Sequence, residues 1–180
     1  MVASPPPEPL VKRLAAVLAA AAAHSVSAQG LPAYGCDSPE SKQLDFWVGE
    51  WELSYVEDGK AGKSRNRITK SLDGCVVFEE FSGAPGTKLD GRSVSTFDRF
   101  TRRWKQTWVD NTGSYLDFTG GLREGHMHFA REAETTGGKF HQRMIWQEVK
   151  RDSMKWLWQR SDDGGRTWAT QWEIDYRRVK

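Results

Sequence analysis

From about residue 50 onward the chain alternates apolar and polar residues in ten short stretches, separated by breaks too brief for anything but hairpins. The stretches fall at about 50–57, 64–72, 75–82, 91–98, 103–110, 114–120, 125–132, 139–149, 153–161 and 166–177, and each is rich in aromatic and branched residues. Runs such as DGKAG, NTG, REG and DDGG punctuate them. A parallel crossover needs about a dozen residues or more, so neighbouring strands must be antiparallel. A twisted meander of that length leaves exposed edges, and closing on itself removes them. The sequence therefore predicts an all-β fold, an antiparallel up-and-down β-barrel of about ten strands.

One segment departs from the strand pattern. In SPESKQLDFWVGEW, Ser38-Pro39-Glu40 is a helix-start signal, and Leu44, Trp47 and Val48 fall on one helical face. This predicts a short helix from about 39 to 47, ended by Gly49, that caps one end of the barrel.

Two motifs carry a family resemblance. LDFWVGEWEL, a Phe-Trp followed by Gly-x-Trp at the mouth of the first strand, resembles the N-terminal region of the calycins: lipocalins, fatty-acid-binding proteins and nitrobindin-like barrels. STFDRFTRRWKQTWVDNTG, together with LDGCVVFEEFSG, is similar to segments of a family of exported bacterial calycin-like domains of uncharacterised function. The resemblance spans most of residues 44–177. It implies a ten-stranded barrel around a small-molecule cavity and brings no established activity. Nitrobindin-like barrels hold haem through a histidine in a late strand. The late strands here, MKWLWQRS and RTWATQWEIDYRR, contain none, so no cofactor is expected.

The N-terminus reads as an export signal. Lys12 and Arg13 precede the apolar run Leu14–Ala23, and Val26-Ser27-Ala28 offers small residues for cleavage near Ala28. The run is about half the length of a membrane-spanning helix. The expected organisation is a signal peptide over 1–28, an N-terminal segment over 29–37 and a barrel domain over 38–180, with the mature chain periplasmic or secreted. Cleavage leaves 24 basic and 23 acidic residues with no basic run, which argues against a nucleic-acid partner. Cys36 and Cys75 both remain, and in an oxidising compartment such a pair is expected to form a disulfide.

Alternation also predicts what fills the barrel. Trp104, Gln106, Trp108 and Asp110 share one strand face, as do Met144 with Trp146, and Trp156 and Trp158 with Arg160. Trp168, Thr170, Trp172, Ile174 and Tyr176 form another such row. These rings either pack the barrel solid or line an apolar cavity, and a barrel of ten strands is wide enough for the latter. The expected ligand-binding set is Trp104, Gln106, Trp108, Trp146, Trp158, Arg160 and Trp172, around a small apolar or amphipathic molecule. Arg160 would anchor an acidic head group, or form an ion pair with Glu79, Glu80 or Asp110.

The remaining motifs point away from catalysis. SDDGGRTW matches the Asp-box, a hairpin turn in long propeller enzymes whose catalytic residues lie elsewhere; Ser161, Asp163, Gly165 and Trp168 are expected to be a structural turn. His126 and His128 form a His-x-His pair, with His141 on the next strand, but two ligands fall short of a zinc site and no metal is expected. Glu79, Glu80, Asp110 and Asp117 could supply a carboxylate pair. No nucleophile elbow is present. A binding module is thus the leading expectation, followed by a cofactor-independent hydrolase or isomerase using the same cavity, and then by an interaction module of the cell envelope.

Overall fold

The computed structural model describes Met1 and residues 36–180, so the export signal and most of the N-terminal segment lie outside the described residues. Ten strands follow in chain order: β1 (Gly49–Glu57), β2 (Lys60–Ser71), β3 (Val76–Ser82), β4 (Asp90–Asp98), β5 (Arg103–Asp110), β6 (Tyr115–Arg123), β7 (His126–Thr135), β8 (Gly138–Gln147), β9 (Ser153–Ser161) and β10 (Ala169–Arg178). Each pairs antiparallel with its neighbour, and β10 pairs with β1 to close an up-and-down barrel. The seam runs from Trp51 opposite Arg178 to Tyr55 opposite Ile174. Among the described residues no helix is long and apolar enough to cross a membrane.

Turn chemistry sets the register. The loop expected over DGKAG is only Asp58-Gly59, with φ of 50° and 73°. Two consecutive positive φ values make the tight turn whose twist matches that of paired strands, and Asp-Gly is a favoured pair for it. β2 accordingly begins at Lys60, earlier than the alternation alone suggests.

The expected short helix over 39–47 takes the form of two 3-10 turns, Glu40–Lys42 and Asp45–Trp47. The reason is periodicity. Ser41, Leu44 and Trp47 are all buried, a spacing of three that stacks side chains in a 3-10 helix and spreads them in an α-helix. These turns close one end of the barrel. Trp51 Nε1 donates to the Trp47 carbonyl oxygen at 2.8 Å, and Arg178 donates to the carbonyl oxygens of Val48 and Phe46 while stacking on the Trp51 ring. The Cys36–Cys75 disulfide ties this cap to the β2–β3 turn.

At the opposite end, SDDGGRTW forms the β9–β10 connection. Ser161 Oγ accepts from the Gly165 N–H at 2.9 Å, and Asp163 Oδ1 accepts from the N–H groups of Arg166 and Thr167, each at 2.9 Å. Trp168 Nε1 donates to the Gly165 carbonyl oxygen. The Asp163 carboxyl is held well below its ordinary range, first by the Thr167 hydroxyl and backbone N–H and then by Ser161. Because Ser161 is buried, Ser161→Ala should strand the Gly165 N–H and cost about 1–2 kcal/mol in urea unfolding. Ligand affinity should not change; an intact fold with weakened binding would show that this turn belongs to the site.

One sequence expectation fails beside this turn. A β-bulge shifts the β9–β10 register between Thr170 and Trp172: Thr170 lies opposite Gln159, whereas Trp172 lies opposite Trp158. Parity is thereby reversed, as an extra residue in one strand requires. Thr170 bonds to Gln159, and Trp168 packs under the Arg143 guanidinium at 4.0 Å, so both sit on the outer wall rather than in the interior row with Trp172.

Candidate functional site

The barrel interior is not solid. A cavity of about 200 Å³ runs from the floor residues Trp47 and Trp146 to Leu89, Asp110 and Leu116 near the open ends of β4–β6. Alternation brings the lining together, because each inward strand position contributes one side chain. The wall formed by β8–β10 is aromatic: Trp146, Trp156, Trp158 and Trp172 interlock, Trp156 and Trp158 lying parallel with ring centroids 6.2 Å apart and Trp156 meeting Trp172 edge-on at 6.1 Å. Trp108 completes the ring near the mouth. Its indole lies over Gly91 so closely that a Cβ there would fall 2.0 Å from Cζ2.

The wall formed by β2–β5 is polar. Glu79 enters from β3 between Val77 and Phe81, and all three are buried. Asn66 Nδ2 donates to Glu79 Oε1 at 2.7 Å and Ser93 Oγ donates to Oε2 at 2.6 Å. Gln106 Nε2 reaches Ser95 Oγ at 2.9 Å, and Asn66 also donates to the Tyr176 hydroxyl at 3.2 Å. Burial pushes the Glu79 carboxyl up to about 7 despite these donors. Tyr176 is raised far above its ordinary range, by burial and then by Glu79. Asp110 behaves oppositely: partial burial pushes its carboxyl up, but the Thr112 hydroxyl, the Trp108 indole N–H and the Thr112 and Ser114 backbone N–H groups outweigh it and hold the group at about 2. The cavity thus carries an ionised carboxylate at its mouth and one that titrates near neutrality in its depth. Among the described residues the buried indole N–H groups of Trp47, Trp146 and Trp172 have no partner.

Of the residues expected to bind a ligand, Gln106, Trp108, Trp146, Trp158 and Trp172 line the cavity. Trp104 does not. It is buried in the floor, its indole donating to Gln43 Oε1 at 3.1 Å and its ring edge-on to Phe97. Arg160 is also outside the lining. It lies past the last aromatic layer, stacked 4.0 Å over Phe140 and donating twice to Asp162 Oδ1. A guanidinium in the apolar cavity would face a large desolvation cost, and a turn carboxylate two residues away offers a solvated partner instead. The partner is therefore Asp162, not Glu79, Glu80 or Asp110.

Glu79 is the principal lining residue outside the expected ligand-binding set. Its signal is present in sequence: Val77-x-Glu79-x-Phe81 places a lone carboxyl on an apolar strand face. Asn66 and Ser93 give weaker signals, because small polar residues are common on outer faces. Glu80 points outward to Arg67 and Arg92, and Asp117 is exposed, so neither pairs with Glu79. The rings of His126 and His128 lie 6.4 Å apart. Among the described residues no three His, Cys, Asp or Glu side chains converge on a metal position.

No protein-family profile matches the chain, and no curated protein matches it significantly. Function must therefore be read from the cavity's own chemistry.

Proposed function

We propose that this protein is an exported, calycin-like binding barrel that holds one small, largely apolar molecule in its central cavity. The carrying observation is an indole-lined hollow with a few convergent polar groups, the usual composition of a ligand site. Its size limits the ligand. Drug-sized molecules occupy roughly 300–1,000 Å³, whereas an apolar cavity of about 150 Å³ takes benzene. A volume of about 200 Å³ suits one ring or a short branched chain. Three lining indole N–H groups without partners among the described residues, those of Trp47, Trp146 and Trp172, offer donors to an acceptor on that molecule. The disulfide is in keeping with an oxidising compartment.

A second reading, a cofactor-independent isomerase or hydrolase, draws on the Glu79 carboxyl, which titrates where a general base works best. Binding is preferred because both Glu79 oxygens already accept hydrogen bonds from Asn66 and Ser93 and no nucleophile accompanies it.

Native mass spectrometry of protein purified from its own host should reveal a retained small molecule. Titration with single-ring aromatics, terpenoids and fatty acids should shift tryptophan emission for the smallest members first. A ligand at a hundred times its Kd should raise stability by about 2.7 kcal/mol. An empty barrel whose emission and melting temperature ignore the whole panel would refute the proposal.

A further inference from the structure

We infer that the molecule held in this cavity is an organic cation, an ammonium whose alkylated nitrogen sits among the indole faces with its charge toward Glu79. The inference rests on the binding reading above and adds the sign of the ligand's charge.

Two independent observations carry it. The first is the composition of the lining. Among the described residues six tryptophans border the cavity, and the only ionisable groups in the lining besides Tyr176 are the carboxyls of Glu79 and Asp110, with no Lys, Arg or His. An indole presents the negative face of its quadrupole, which makes it the best aromatic partner for a cation, and cages of such rings are how proteins recognise alkylated ammonium groups. A carboxylate ligand would meet two like charges and the same negative faces.

The second observation is that Glu79 is buried without a basic partner among the described residues. Every group facing it is neutral: Asn66 from β2, Ser93 from β4, Gln106 beyond Ser93 on β5, and Tyr176 from β10. Arg92, the nearest cation, points outward and donates to the carbonyl oxygens of Phe81 and Gly91. Of the arginines toward the open end, Arg160 pairs with Asp162, and Arg131 donates to Gln142 and lies over the Phe118 ring with its Nε lacking a hydrogen-bond partner among the described residues; neither borders the cavity or bonds to Glu79. A buried carboxyl on the wall of an aromatic cavity thus lacks a counter-charge that the protein itself does not supply. An alkylated ammonium could enter to provide it, because such ions shed water far more readily than a compact primary ammonium.

Two isosteric pairs test the inference, each differing only by nitrogen for carbon: choline against 3,3-dimethylbutan-1-ol, and phenyltrimethylammonium against tert-butylbenzene. Benzoate is the anionic arm. Calorimetry and tryptophan emission at pH 8 should show at least one cation binding about tenfold or more tighter than its isostere. Glu79→Gln should shrink that ratio to within about threefold. Asp110→Asn, at the mouth, should lower it in the same direction and serves if the Glu79 variant does not fold. Equal affinities within both pairs, or a preference for benzoate, would overturn the cation inference and leave cavity binding standing. Failure of all five probes to bind would overturn both.

Discussion

Reducing the Cys36–Cys75 bond is expected to lower stability by roughly 4 kcal/mol, the loop-closure value for the separation of 39 residues that it spans. For a domain of this length that corresponds to about 10 °C in melting temperature. The loss should be felt first at the cap, because the bond joins the chain just ahead of the 3-10 turns to the turn between β2 and β3. Ser41 Oγ also donates to the Cys36 carbonyl oxygen, so the segment carrying Cys36 is held to the β2–β3 turn by the disulfide and to the first 3-10 turn by this hydrogen bond. Paired Cys36→Ser and Cys75→Ser substitutions, measured by thermal unfolding, should reproduce the effect of reductant. An unchanged melting temperature in both cases would mean that packing of Leu44 and Trp47 alone seats the cap.

The second large effect is electrostatic and has a defined sign. Glu79 titrates at about 7 in the folded protein against an ordinary value of 4.5. The folded state therefore binds this proton more tightly than the unfolded chain does. The resulting stability is fully present below about pH 4.5 and is lost as the pH rises through 7. Ionising the carboxyl should cost roughly 3 kcal/mol. Glu79→Gln can keep an oxygen toward Asn66 and turn its amide toward Ser93, as the neutral acid turns its hydroxyl. Urea midpoints should thus match between wild type and variant near pH 5, whereas by pH 8.5 the variant should be the more stable. Other groups titrate over the same range, so the difference between the two curves is the diagnostic quantity. Parallel curves would place Glu79 in contact with water and remove the basis for its role.

The barrel was legible because period-two alternation and short turns leave little freedom: once Trp104-x-Gln106-x-Trp108 faces in, every neighbour is constrained by pairing. Gln106, Trp108, Trp146 and Trp158 line the cavity from uninterrupted antiparallel pairing, where this logic holds, and Trp172 follows directly after the bulge. It fails at the ends. Alternation alone points Trp168 and Thr170 inward, because a bulge leaves no mark in it until the register is known. Parity points Arg160 inward because it says which way a side chain starts, while the solvent and Asp162 decide where its long stem finishes. Trp104 faces inward as expected but too near the floor to reach the hollow, since depth along a strand depends on the shear between strands. The short capping helix is legible in the sequence, but its form is not: Leu44 and Trp47 fit both helical periods, and only the burial of Ser41 marks it as 3-10.

The β1–β10 seam has a consequence for how this molecule comes into being. The residues it joins lie at opposite limits of the barrel sequence, Trp51 against Arg178, so the cylinder cannot shut until its final strand is available. Until then the indoles of β8 and β9 face an unfinished trough, and assembly is expected to be slow for a domain of this size. Whatever holds the half-built sheet apart from its neighbours during that interval matters as much to the yield of working protein as any contact in the finished barrel.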